Sequence, residues 1–204
     1  MLEIIVMASG RGSNLIAIQE AVESGMLKGN IRAVISNKKE APALIYAESK
    51  GIRALWFDPD GRGGRLEYER KILAEVNRVG SDCIVLAGYT LMLGIDFIRD
   101  YGKPIFNIHP ALLPSFPGLT AQKDAVEYGV KCSGCTVHFV DEGMDTGPII
   151  AQRAVPVLEY DDEESLSARI LEEEHKLYPE VLTMMAQGRI HLLDGRVFID
   201  LLVR

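Results

Sequence analysis

Asn107 and His109 stand two residues apart at the head of a loop with prolines at 110, 114 and 117 and a glycine at 118. The short apolar run 104–106 leads into them, as a strand would. On an extended backbone, residues two apart point to the same side. Asn offers a neutral amide, and His can carry a proton near neutral pH. Such a pair suits a reaction in which a carbonyl oxygen gains charge and a proton moves. Proline fixes φ and has no N–H, so the loop that follows is stiff. Taken alone, Asn-x-His reads more readily as a strand-end Asn capping its own turn beside a surface histidine. The proline frame and a later carboxylate, Asp145, shift the reading toward chemistry. Asp145 lies in the glycine-flanked stretch 142–148, where a carboxylate can be held against an imidazole. There it would favour the charged ring and fix its tautomer. Asp145 is equally a plain turn residue unless His109 lies beside it.

A second candidate opens the chain. The run 2–8 is apolar apart from Glu3, as a strand covered on both faces requires. Ser9-Gly10-Arg11-Gly12-Ser13-Asn14 follows, then Leu15, Ile16, Ile18 and Val22 at helical spacing. Strand, glycine loop and helix aim backbone N–H groups at an anion. No Lys follows as in a P-loop, and no third glycine completes G-x-G-x-x-G. Gly12, Ser13 and Asn14 suit one phosphate; the plain alternative is a tight turn with Ser13 as N-cap. The second strand, 31–35, ends in Ser36-Asn37-Lys38, without the acidic residue a dinucleotide fold uses on ribose. That counts against a dehydrogenase.

Elements must bring these residues together. Helices are expected at 42–50, 65–79 and 120–128, and strands at 52–57 and 83–87. Leu66, Ile72, Leu73 and Val76 are taken as the apolar positions of the 65–79 helix. The loop 58–64 is expected to be mobile. Thr90 and the apolar step Leu91-Met92-Leu93 lead to a further helix; the step is core packing or a greasy wall for a flat ligand. Strand–helix alternation implies a mainly parallel, doubly wound, Rossmann-like α/β sheet. Its strand ends at 9, 36, 88 and 107 would share one edge, so the glycine loop, Tyr89 and Asn107/His109 should converge. After Gly129 the pattern changes. Runs 135–141 and 149–157, joined by too few residues for a crossover helix, form an antiparallel hairpin extension. A long helix is expected over 163–186, opened by Asp161-Asp162 and kinked at Pro179. A last hairpin turns at Asp194-Gly195, with a final strand over 197–203.

The chain has 204 residues, 48% hydrophobic and 25% charged, with a net charge of −7. That is ordinary for a globular domain and offers no general basic field for nucleic acid. No apolar run reaches the ~20 residues of a membrane span. Residues 1–8 lack a basic n-region and are expected to be a strand rather than a signal peptide. Of three cysteines, Cys132 and Cys135 form a lone C-x-x-C without a second metal-ligand pair, and Cys83 begins an apolar strand. Cys132 and Cys135 are expected to be ordinary reduced thiols, with a redox role as the alternative, and Cys83 a core residue; no metal is expected.

Taken together, these pieces resemble the folate-dependent phosphoribosylglycinamide (GAR) formyltransferases. The resemblance rests on 8–15, Ser36-Asn37-Lys38, Leu86-Ala87-Gly88-Tyr89, 107–118, Thr136-Val137-His138-Phe139-Val140 and Met144-Asp145-Thr146-Gly147-Pro148. It covers nearly the whole chain; the glycine loop together with Glu174-His175 points to the GAR branch. It implies one formyltransferase domain over 1–204, with a phosphate- and GAR-binding N-terminal half and a folate-binding, catalytic C-terminal half. It also implies direct formyl transfer from 10-formyltetrahydrofolate to GAR in purine (IMP) biosynthesis. In that case Asn107, His109 and Asp145 match the catalytic trio. Gly12, Ser13 and Asn14 match the phosphate loop, and Glu174 the ribose contact. Arg65, Thr90, Leu91, Met92, Leu93, Asn107, Asp141, Glu142, Gly143, Met144 and Asp145 match the folate site. A cytoplasmic monomer or homodimer acting on small molecules, without nucleic acid or membrane, is the expectation. The sequence departs from the family pattern at Leu91, at Leu171 and in Leu119-Thr120-Ala121-Gln122. Two rivals stand: a 10-formyltetrahydrofolate hydrolase, expected to carry an extra N-terminal domain, and a non-catalytic nucleotide-binding module. A methionyl-tRNA formyltransferase would add a basic C-terminal domain, which is not read here.

Overall fold

The computed structural model describes residues 1–200. Part of the strand expected over 197–203 therefore lies outside the described residues. The chain divides into two compact units, residues 1–106 and the residues from Asn107 on.

In the N-terminal unit, strands β1 (Leu2–Met7), β2 (Gly29–Ser36), β3 (Arg53–Trp56) and β4 (Cys83–Leu86) alternate with helices α1 (Ser13–Glu23), α2 (Pro42–Ser49), α3 (Gly64–Val79) and α4 (Ile95–Tyr101). β1 pairs in parallel with β2 and with β4, and β2 with β3. Ile4, Ile5, Val6 and Met7 are all fully buried, so both faces of β1 are covered. That is why the run does not alternate. Pro42 stands at the start of α2, where its missing N–H costs nothing. On α3 the buried stripe is Tyr68, Ile72 and Val76, spaced by four. Leu66, expected on that face, is 69% exposed. Six residues separate it from Ile72, a rotation of about 240° on the helix, which carries it away from the stripe.

The C-terminal unit begins inside β5 (Ile105–His109), then runs α5 (Ala121–Tyr128), β6 (Cys132–Phe139), β7 (Ile149–Pro156), α6 (Glu163–Ala186), β8 (Ile190–Leu193) and β9 (Arg196–Ile199). β6 and β7 form the expected antiparallel pair, with β6 starting three residues earlier than its apolar run. Strand order in the main sheet is β3-β2-β1-β4-β5-β6-β7, and β8-β9 form a separate two-stranded sheet. The order reverses at β1, the mark of a doubly wound sheet. The Asp162 side chain accepts from the Ser165 N–H, and the Ser165 hydroxyl accepts from the Asp162 N–H, a capping box that starts α6. Leu166, Ile170, Leu177, Val181 and Leu182 are its buried face. Pro179 lies inside α6 and does not end it. Asp194 and Gly195 both take positive φ, the turn that a two-residue hairpin favours. Among the described residues, no helix is long and apolar enough to cross a membrane.

Candidate active site

The trio meets within the C-terminal unit. β5 runs through Asn107 to His109, so both project from the strand itself rather than from the loop beyond it. His109 is 4% exposed. Its Nε2 lies 2.8 Å from the Phe116 carbonyl oxygen and its Nδ1 3.4 Å from Asp145 Oδ2. A carbonyl only accepts, so Nε2 carries a hydrogen. Both ring nitrogens thus face oxygen atoms.

Asp145 is brought there by an unusual backbone. Its φ is 54°, a left-handed conformation that Asp tolerates better than most residues. Oδ2 also accepts the Gly118 N–H at 2.9 Å, and Oδ1 lies 3.4 Å from Asn107 Nδ2. The preceding loop is folded by Asp141, whose Oδ1 accepts from Gly143 N–H at 3.0 Å and from the Thr146 hydroxyl at 2.7 Å. A side chain at Gly143 would collide with Thr146, and one at Gly147 with the Phe139 carbonyl. The glycines flanking Asp145 therefore let the loop close. Glu142, Gly143 and Met144 are exposed at its tip.

One group was not singled out from the sequence. His138 on β6 is 2% exposed. Its Nδ1 lies 2.8 Å from its neighbour Phe139's carbonyl oxygen, so Nδ1 carries hydrogen. Its Nε2 lies 3.2 Å from Asn107 Nδ2 and 3.7 Å from Asp145 Oδ1. Burial pushes this imidazole below its ordinary range; the Phe139 carbonyl and Asp145 oppose that. A neutral ring with hydrogen on Nδ1 leaves an Nε2 lone pair to accept from the Asn107 amide.

The loop between β5 and α5 is tied to β6 and β7. The Thr136 hydroxyl donates to the Ala111 carbonyl at 2.7 Å and accepts from Leu113 N–H at 3.0 Å. Gln152 Nε2 donates to that hydroxyl and to the Leu113 carbonyl, each at 2.9 Å. This set, centred on the fully buried Thr136, holds the segment that presents Phe116 to His109 and Gly118 to Asp145. Glu174 is buried on α6, and its charge adds to the burial that pushes the Cys135 thiol up to about 12. Cys132 is exposed and Cys135 buried; three apart on a strand, they face opposite sides and both are free.

In the N-terminal unit the glycine loop caps α1 with Gly12 at φ 78°, not with Ser13. Ser13 is the first helical residue. A side chain at Gly12 would sit 2.9 Å from Ala43 Cβ, so both conformation and space call for glycine. Ser13 and Asn14 thus lie in the first turn, whose N–H groups find no acceptor within a helix. The ends of β1, β2 and β4 meet: Ser9 Oγ donates to Asn37 Oδ1 at 2.5 Å and accepts from Thr90 N–H at 2.9 Å. Arg65 donates to Glu69 at 2.9 Å and to the Met92 carbonyl at 2.8 Å. It therefore braces the 90–94 segment while its side chain stays exposed. That segment splits: Leu93 is buried, while Leu91 and Met92 are exposed.

A doubly wound sheet with a hairpin extension, carrying Asn107, His109 and Asp145 with a second buried imidazole, His138, suits a reaction in which a carbonyl oxygen gains charge. The chain belongs to the formyl transferase family, whose model matches residues 2–182. It is similar to the phosphoribosylglycinamide formyltransferase of Escherichia coli (strain K12), 38% identical over 98% of this chain and 94% of that one. The glycinamide ribonucleotide transformylase 1 structure from Symbiobacterium toebii is 44% identical, covers 98% of this chain and 94% of its own, and superposes with a TM-score of 0.95. A formyltetrahydrofolate deformylase from Pseudomonas syringae pv. tomato is more distant: 27% identical with a TM-score of 0.90, over 97% of this chain but 65% of its own.

Proposed function

We propose that this chain transfers the formyl group of 10-formyltetrahydrofolate to the amine of GAR, a step of purine biosynthesis. The observation that carries the reading is the His109 ring, buried between the Phe116 carbonyl and Asp145, with the Asn107 amide reaching the same carboxylate. In the reaction the GAR amine attacks the formyl carbon and the carbonyl oxygen becomes an oxyanion. Asn107 N–H and a ring N–H of His109 stabilise it, with Asp145 supporting the positive ring. The C–N bond to the folate then breaks, the amine loses a proton and the departing folate nitrogen gains one. The 3.4 Å contact to Asp145 is looser than the 2.8 Å one to Phe116, so it is the one the oxyanion more easily competes with.

In this reading the chain acts as one formyltransferase domain. Gly12, Ser13 and Asn14 hold the GAR phosphate at the α1 N-terminus, and Glu174 holds its ribose. Arg65, Thr90, Leu91, Met92 and Leu93 in the N-terminal unit, and Asn107 and the loop Asp141, Glu142, Gly143, Met144 and Asp145 in the C-terminal unit, are the residues this reading assigns to the folate. Transfer is favoured over hydrolysis because the chain is 38% identical to a phosphoribosylglycinamide formyltransferase and 44% identical to a glycinamide ribonucleotide transformylase, against 27% for the deformylase. The test is formyl transfer from 10-formyltetrahydrofolate to GAR, with a parallel reaction lacking GAR. Formylation of GAR with little folate turnover in its absence is expected. Equal folate turnover without GAR would make the chain a hydrolase, and none in either would leave a binding module.

A further inference from the structure

We infer that His138 is a positioning residue, whose Nε2 lone pair sets the Asn107 amide so that its N–H groups, not its oxygen, face the reacting carbonyl. The inference rests on the reading that Asn107 donates to the oxyanion. Asn107 Nδ2 has two hydrogens and two neighbours, His138 Nε2 at 3.2 Å and Asp145 Oδ1 at 3.4 Å. Turning the amide over would point Oδ1 at a carboxylate oxygen and a lone pair, two acceptors with nothing to share. The His138 bond therefore selects the donor face. The longer contact to Asp145 is the N–H that an oxyanion can draw off. His138 is itself fixed from behind by the Phe139 carbonyl at 2.8 Å, which determines the tautomer.

The device works only while His138 is neutral. A proton on Nε2 would place N–H against N–H; the amide would turn and present oxygen to a developing negative charge. The groups facing His138 are Asn107 and His109 from β5, Asp145 at 3.7 Å, and Asp141 at the start of the same loop. Burial outweighs the two carboxylates and keeps the ring neutral at neutral pH.

Two measurements test this. In ¹⁵N-labelled parent protein at neutral pH, a nitrogen–nitrogen coupling across the hydrogen bond should join Asn107 Nδ2 and His138 Nε2. It should vanish on acidification together with kcat. Kinetically, His138→Leu should lower kcat about 10²-fold, the order lost with one oxyanion donor, while both KM values stay near the parent's. His138→Gln places an amide oxygen near the former Nε2; it should keep most of kcat, with its acid limb displaced to lower pH because Gln does not titrate. Absence of the coupling, or parent-like kcat in a folded His138→Leu, would overturn the inference. Should His138→Leu not fold, the parent coupling and the His138→Gln pH profile decide. If the coupling is present but the parent transfers nothing to GAR, the functional reading falls and the amide orientation stands.

Discussion

At the level of single residues, Asp145 is the group whose chemistry is most exposed to test. It accepts from the Gly118 N–H, faces Nδ1 of His109, and holds its own backbone at positive φ. Asp145→Asn keeps the shape, and Asn tolerates that backbone as well as Asp does. What goes is the negative charge opposite a buried ring. The oxyanion then faces a ring without its counter-charge, and a charge-assisted contact becomes a neutral one. kcat should fall by at least about 10²-fold, the scale of one lost oxyanion contact, with both KM values little changed. Steady-state kinetics on a variant with parent-like circular dichroism checks it; near-parent kcat would reduce Asp145 to a turn residue. The trio was legible because two of its members are two apart and the third sits between glycines. His138 was not, because a histidine in a β-branched run reads as core, and its partner lies 31 residues away. The available signal was its spacing from Thr136: two hydrogen-bonding side chains two apart, both bonded to the 107–118 segment.

At the level of elements, the sequence announced most strands and helices through their periodicity and turns, and missed where contacts between them decide. β6 starts at Cys132 because Cys132 to Gly134 pair with β7, although they lack the apolar run that marks the rest. Leu66 is apolar yet points outward, since it lies about 240° round the helix from Ile72 in the buried stripe. The Thr136 hydroxyl is the clearest case of an element held by a polar group. It serves Ala111, Leu113 and Gln152 from a fully buried position. Thr136→Val keeps the volume and leaves those partners unmet, which should cost about 1–3 kcal/mol. Thr136→Ser should recover most of it; urea unfolding of the two variants compares them. A Val variant as stable as the parent would show the network to be incidental. The α1 terminus gives a second test. Because Ser13 is the first helical residue, Ser13→Pro suits the helix while removing one N–H from the first turn. KM for GAR should rise with KM for the folate little changed; equal loss for both would mean a damaged fold rather than a phosphate site.

At the level of the whole molecule, global stability should carry the mark of His138, whose imidazole burial holds below its ordinary range. The net charge of −7 argues against nucleic acid as the main partner but says nothing of how folding responds to acid. His138 does. In the unfolded chain this ring takes up a proton near its ordinary value of 6.5; folded, burial delays that to lower pH. Over that interval the unfolded state binds more protons, so stability rises with pH through it. The contribution is fully present above the unfolded value and is lost as pH falls toward the folded one. Carboxylates across the molecule add their own acid sensitivity, so the parent alone cannot isolate the effect. His138→Gln removes the titration and leaves the other groups in place. Between about pH 7.5 and about pH 5, the urea midpoint of the parent should therefore drop further than that of His138→Gln. Equal drops in the two proteins would mean that His138 gains its proton as easily folded as unfolded. The neutral ring that orients Asn107 would then not survive mild acid through burial.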